Sequence, residues 1–111
     1  MGKFIISKRT NDDYQFNLKA GNGQVILTSQ GYSTKVSCQK GIESVKKNSQ
    51  DDSKFERNKA KDNRCFFSLK ASNGQIIGTS QMYESDNGME NGIDSVKNNA
   101  PNAYVEDETN N

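Results

Sequence analysis

Histidine is absent from this chain, which removes the commonest general base and the commonest metal ligand. A serine or cysteine nucleophile paired with histidine is therefore not available. Two cysteines remain, Cys38 and Cys65, too few to complete a four-ligand zinc site within one chain. They read as small buried hydrophobes. Adjacent carboxylates occur at Asp12-Asp13, Asp51-Asp52 and Asp107-Glu108, none with the spacing of a calcium loop, and they read as turn and linker residues. Gly21-Asn22-Gly23 lies between two strand-like runs rather than before a helix, so it is not a phosphate loop. No cofactor is expected, and the residues do not point to an enzyme.

The polar residues that stand out do so by recurrence. Tyr14 to Ser49 aligns without a gap with Cys65 to Ala100, 51 residues later, and 18 of the 36 positions are identical. Lys3-Phe4 and Lys54-Phe55 extend the match. Lys19/Lys70, Thr28/Thr79, Ser29/Ser80, Gln30/Gln81, Tyr32/Tyr83, Ser44/Ser95 and Lys46/Lys97 are among the matched pairs. Alternation puts Lys19, Gln15 and Asn17 on the strand face opposite Phe16 and Leu18. The candidate binding face is accordingly Lys19, Lys70, Gln15, Asn17, Ser29 and Ser80, with Val25 and Leu27 adding apolar area.

A period this long means two copies of one supersecondary unit. A lone unit of about 50 residues buries too little surface to be comfortably stable, so the copies are expected to share one core. The chain is 111 residues long and 31% hydrophobic, against a usual apolar share of about 45–50% that also counts glycine. Its apolar residues nevertheless concentrate at matched positions. The net charge of +1 gives no global case for a nucleic-acid or membrane partner. Residues 1–50 carry eight basic and three acidic side chains, and residues 51–111 seven and eleven, a +5/−4 asymmetry read as solvated surface. Met1 to Ser7 lacks an export signal and no stretch is long and apolar enough to span a bilayer. Two cysteines without an export signal point to a reducing, cytoplasmic setting.

Lys3 to Lys8 reads as a strand and Tyr14 to Ala20 as a half-buried one. Asn22-Gly23 then signals a hairpin to Gln24–Gln30. A two-residue turn would set Leu18 opposite Leu27, and a three-residue loop would set it opposite Ile26. The second copy keeps Ile77 but has Gly78 where the first has Leu27. A core position resists becoming glycine, so the three-residue loop with Ile26 and Ile77 inward is favoured. Thr34 and Ser85 are N-cap candidates. The stripes Cys38, Gly41, Ile42, Val45 and Met89, Gly92, Ile93, Val96 fall on one helical face each. The repeated glycine suggests a helix lying close on the sheet. Asn48 and Asn99 suit a left-handed helix end. Lys54–Lys59 begins the second cycle, with a helix over about Ser85 to Asn98 and a last strand at Ala103 to Glu106.

The phrases LKAGNGQVILTSQGY with GIESVKKNS, and LKASNGQIIGTSQMY with GIDSVKNNA, resemble the YegP-like family of small bacterial proteins. The likeness runs from Lys3 to about Val105. It implies an α+β fold: two tandem β-β-β-α-β repeats in a single antiparallel sheet, two helices on one face, and closing strands exchanged between repeats. Repeat one would cover about 3–59 and repeat two about 54–106, in one domain over 1–111, with 107–111 a flexible acidic tail. Single-repeat members form the same assembly as dimers, so a monomer is expected here. The family has no established activity, catalytic residue or ligand. The expected function is a small non-catalytic binding or interaction domain that uses the open sheet face, its partner left open with a protein among the candidates. The alternative is weak nucleic-acid binding through Lys19 and Lys70.

Overall fold

The computed structural model describes residues 2–109. Its elements are β1 (Lys3–Lys8), β2 (Tyr14–Lys19), β3 (Val25–Thr28), α1 (Lys35–Asn48), β4 (Phe55–Lys59), β5 (Cys65–Lys70), β6 (Ile76–Thr79), α2 (Asp86–Asn99) and β7 (Tyr104–Asp107). A single 3₁₀ turn, Asp52–Lys54, leads into β4, which therefore starts one residue later than expected. The strands form one sheet in the order β4-β5-β6-β3-β2-β1-β7. The two repeats meet at its middle, where β3 and β6 pair antiparallel. β4 ends the first repeat and opens the second beside β5, while β7 lies along β1 of the first repeat. The closing strands are thus exchanged as expected. β1 and β7 run parallel, and the other neighbours run antiparallel.

Both helices start on the expected caps, Thr34 accepting from Ser37 N–H and Ser85 from Gly88 N–H. Their apolar stripes join Phe4, Phe16, Leu18, Phe55, Phe67 and Leu69 in one cluster, so both helices cover the same sheet face. Each also touches the third strand of the other repeat, α1 on β6 and α2 on β3. The glycines of the stripes have a more specific cause than a close helix–sheet approach. A Cβ on Gly41 would overlap Tyr32 Oη, and one on Gly92 would overlap Tyr83 Oη. Tyr32 stacks on Phe16 and Tyr83 on Phe67, each pair with ring centroids 6.3 Å apart. The glycines admit these tyrosines beneath the helices.

Three expectations need correction. Asn48 and Asn99 do not adopt the left-handed conformation; among the described residues only Asp12, Asn63, Gly23 and Gly74 do. Instead the Asn48 amide donates to Ser44 C=O at 2.9 Å, and Asn99 to Ser95 C=O at 2.8 Å, so each folds back along its last turn. The flexible tail expected over 107–111 is contradicted at its start. Asp107 belongs to β7, Glu108 N–H donates to Ile6 C=O at 2.9 Å, and Asn110 and Asn111 lie outside the described residues.

The third correction concerns register. The three-residue loop is present, with Gly23 at φ +87° and Ala20 N–H donating to Gln24 C=O. Lys19 then faces Val25 as expected, but a bulge at Ile26 brings Leu27, not Ile26, opposite Leu18. The second hairpin does the same, with Lys70 facing Ile76 and Leu69 facing Gly78. Leu27 therefore lies in the core, fully buried, and not on the open face, while Ile26 and Ile77 are also buried. Glycine is tolerated at 78 because the two matched positions meet where the repeats join. A Cβ on Gly78 would come within 2.7 Å of Leu27 Cγ and Cδ2. One leucine fills the space of two.

Leu27→Ala should cost about 2–5 kcal/mol by cavity formation, and Gly78→Leu about 1–3 kcal/mol or more by overpacking. The exchanged protein Leu27→Gly/Gly78→Leu should be far closer to the parent than the sum of its single changes, as read by denaturant unfolding; additive losses would contradict this packing.

β7 is held by charge as well as by its ladder. Glu106 accepts from Lys3 at 3.3 Å on one face, and Asp107 accepts from Lys35 at 2.7 Å on the other. The Lys35 bond, with Thr109 adding to it, holds the Asp107 carboxyl down at about 2. Its contribution is thus complete above the ordinary carboxylate value of about 3.9 and fades as pH falls toward 2. Asp107→Asn should flatten the acid limb of stability between those pH values, as followed by thermal melts; an unchanged limb would remove this pair from the account.

Candidate functional site

The uncovered face carries a row of side chains through the sheet, fixed by strand register. From one edge it runs Glu106, Ile5, Asn17, Thr28, Thr79, Ser68 and Glu56. At its middle, around Thr28 and Thr79, lies a depression of about 390 Å³. Its lining consists of the matched pairs Val25/Ile76, Thr28/Thr79, Ser29/Ser80 and Gln30/Gln81, together with Gly78. The pseudo-twofold relation between the repeats passes through it. Thr28, Gln30 and Gln81 are exposed, as is the Ile76 side chain. The depression therefore offers hydroxyls and amides between two apolar flanks. Chemically, such an arrangement can engage a ligand by shape and hydrogen bonding.

The candidate residues are placed around this centre in different ways. Gln15 and Asn17 stand on the open face on β2, Asn17 beside Thr28. Ser29 and Ser80 line the depression, but their hydroxyls are engaged: Ser29 Oγ accepts from Phe16 N–H at 2.9 Å and donates to Gln30 C=O at 2.8 Å, and Ser80 repeats this with Phe67 and Gln81. They carry the strand pairing past the ends of β3 and β6. Lys19 and Lys70 flank the centre, beside Val25 and Ile76. The structure does not join them into one basic site. Lys70 is bridged to Glu56 at 3.0 Å and holds that carboxyl below its usual range. Lys19 lies beside Lys3, where Glu106 supplies the opposing charge. Each end of the face is thus a mixed-charge cluster.

Most of the matched polar pairs have a structural use. Asn22 and Asn73 accept from the N–H groups of Gln24 and Gln75 in the hairpin loops. Ser44 and Ser95 receive the helix-end asparagines. Lys46 and Lys97 lie over the rings of Phe4 and Phe55. Burial pushes the Tyr32 and Tyr83 hydroxyls up. Left in the depression are the pairs Thr28/Thr79 and Gln30/Gln81, of which Thr79 lies 3.4 Å from the Ser68 hydroxyl and Gln81 bonds to Tyr83. Sequence reading counted them among the matched pairs without placing them on the site. The register could not be found without the bulge, and their meeting depends on the order β6-β3. Phe66 was also missed: it stands on the open face of β5 because Phe67 points inward, an alternation legible in Cys65–Lys70.

The cysteines are both free and buried. Burial raises the Cys38 thiol to about 11, which suits a packing role. The Cys65 thiol donates to Asp86 at 3.2 Å and is raised chiefly by that carboxylate. Among the described residues no three potential metal ligands cluster, and no helix is long and apolar enough to cross a membrane.

The family comparison agrees with this duplication. The domain of unknown function DUF1508 matches twice, over residues 10–56 and 60–107. A UPF0339 protein of Acinetobacter baylyi is 51% identical over 97% of both chains. The UPF0339 protein YegP of Escherichia coli is 46% identical over 97% of this chain and 98% of its own. The solution structure of a UPF0339 protein from Shewanella oneidensis is similar at TM-score 0.92 and 47% identity, covering 97% of this chain and 92% of that one. The solution structure of the E. coli protein of unknown function YegP reaches TM-score 0.94 at 45% identity, over 99% and 95% of the respective chains. With both repeats matched and nearly the whole length shared, this chain belongs to the DUF1508 (UPF0339, YegP) family, whose similar proteins here are of unknown function.

Proposed function

We propose that this protein is a small non-catalytic interaction domain that binds a protein partner across its open sheet face, centred on the depression between the repeats. The observation that carries the reading is the lining of that depression by matched pairs of both repeats, with Thr28, Gln30 and Gln81 exposed on it. The mixed charge of the face favours a protein surface over a polyanion. Lys19 and Lys70, the lysines a nucleic acid would use, stand beside carboxylates and apart from one another. Phe66 on β5 and the exposed Tyr104 on β7 are the aromatics of that face, with β6, β3, β2 and β1 between them, whereas single-strand binders stack successive bases on neighbouring aromatics. The working species is a monomer, since one chain already supplies both halves of the sheet.

Val25→Glu with Ile76→Glu places a carboxylate opposite Lys19 and Lys70 and should leave the fold intact. This variant should lose partners that the parent captures from a native lysate, while Lys47→Glu on α1 keeps them. Equal capture by both variants would overturn the proposal. Sedimentation as a stoichiometric dimer would contradict the monomer. Nucleic-acid binding that strengthens as salt falls would favour the alternative.

A further inference from the structure

The two edges of the sheet are related by the repeat but are not alike. On one edge, β1 is covered by β7 in parallel, with Phe4 beside Val105 and Ile6 beside Asp107. On the other, β4 is the matched strand, and among the described residues nothing pairs with its outer side. The cause lies in the chain order. The segment after α2 is free to become β7, whereas the segment after α1 must turn at once into β4. The first repeat's closing strand is used up as the second repeat's opening strand.

The vacant edge repeats the strand alternation of the occupied one, except at its start, where the 3₁₀ turn uses one group. Cys65 bonds to Tyr83 and Phe67 to Ser80, so both turn toward the β6 side. Phe66 and Ser68 therefore face β4, where they pair with Asn58 and Glu56. Phe55, Arg57 and Lys59 turn their backbone groups outward. The Phe55 N–H is taken by Asp52 C=O. Arg57 stands at the place of Ile6, whose carbonyl accepts from Glu108 on the other edge. Extended segments add readily to such an edge.

The flanking charges define what would fit. β7 offers Glu106 to Lys3 and Asp107 to Lys35. The matched residues beside β4 are Lys54 and Asp86, so one charge is kept and the other reversed. Arg57, in the place of Ile6, adds a guanidinium on that side, which Glu90 at 2.6 Å and Asp52 at 3.1 Å take up, and Asp86 itself accepts from the Cys65 thiol at 3.2 Å, so that side holds three carboxylates to the one guanidinium. We infer that the outer edge of β4 accepts an extended peptide segment in parallel, carrying an acidic side chain toward Lys54 and a basic one toward Asp86. This site is separate from the open-face depression.

The test uses the full chain, labelled with ¹⁵N, and two synthetic peptides: Ala-Tyr-Val-Glu-Asp-Glu-Thr, the sequence of residues 103–109, and the same peptide carrying Asp107→Lys. At millimolar peptide the Arg57 and Lys59 amide signals should shift and gain protection from exchange. The Asp107→Lys peptide should bind about two- to fivefold more tightly than the other, the scale of an exposed ion pair. Asp86→Lys protein, its fold checked by the same spectra, should reverse that preference. Shifts confined to β1 or to the depression, shifts on β4 without the reversal, or none at all would overturn the inference; the last would mean that Glu56, Arg57 and Lys59 serve to keep the edge unpaired.

Discussion

The sheet is continuous because β3 and β6 meet, and they do so through little backbone. Both strands have four residues, and one register pair, Thr28 with Thr79, joins them. So short a ladder cannot by itself hold two halves that are each too small to be comfortably stable. What holds them is burial across the junction. Leu27 reaches from the first repeat into the space left by Gly78 of the second, and each helix rests partly on the other repeat's third strand. The molecule is a pseudo-dimer whose interface is its core.

The same junction creates the depression. A longer β3–β6 ladder would continue the sheet over the ground now lined by Val25, Ile76 and the glutamines. A brief ladder leaves that ground open, and the hydroxyls of Ser29 and Ser80 satisfy the strand ends that the ladder does not reach. The price of a short junction is thereby met within each hairpin. The concavity at the centre follows from how the repeats are joined.

Much of this was legible in the residues. Phe16, Leu18 and their counterparts announce their strand face by alternation, and Thr34 and Ser85 announce their helices by type and place. The hairpin loop length was also legible, since Gly23 supplies the positive φ that a three-residue loop needs. The bulge at Ile26 was not, because nothing local marks it. The inference from Gly78 was sound in its premise that core positions resist becoming glycine. It failed because the compensating side chain, Leu27, comes from the other repeat, and a comparison of matched positions treats the copies as independent. Asn48 and Asn99 failed for a related reason: asparagine is compatible with a left-handed end, yet a serine four residues earlier gave its amide a better partner.

Recurrence alone does not separate function from structure. Asn22, Ser29, Tyr32, Ser44 and Lys46 recur and are each accounted for by a bond, a stack or a ring contact within their own repeat. Lys70, of the most conspicuous matched pair in the sequence, is bridged to Glu56 of β4, whereas Lys19 lies beside Lys3, whose partner is Glu106 of β7. The repeat thus keeps a lysine at each end of the face and sets it in different charged surroundings each time. A basic site would need the two lysines to act together without those carboxylates. Thr28 and Gln30 at the centre come nearest to the stricter condition: they recur, they line the depression, and their side chains are not engaged as Thr79 is by Ser68 and Gln81 by Tyr83.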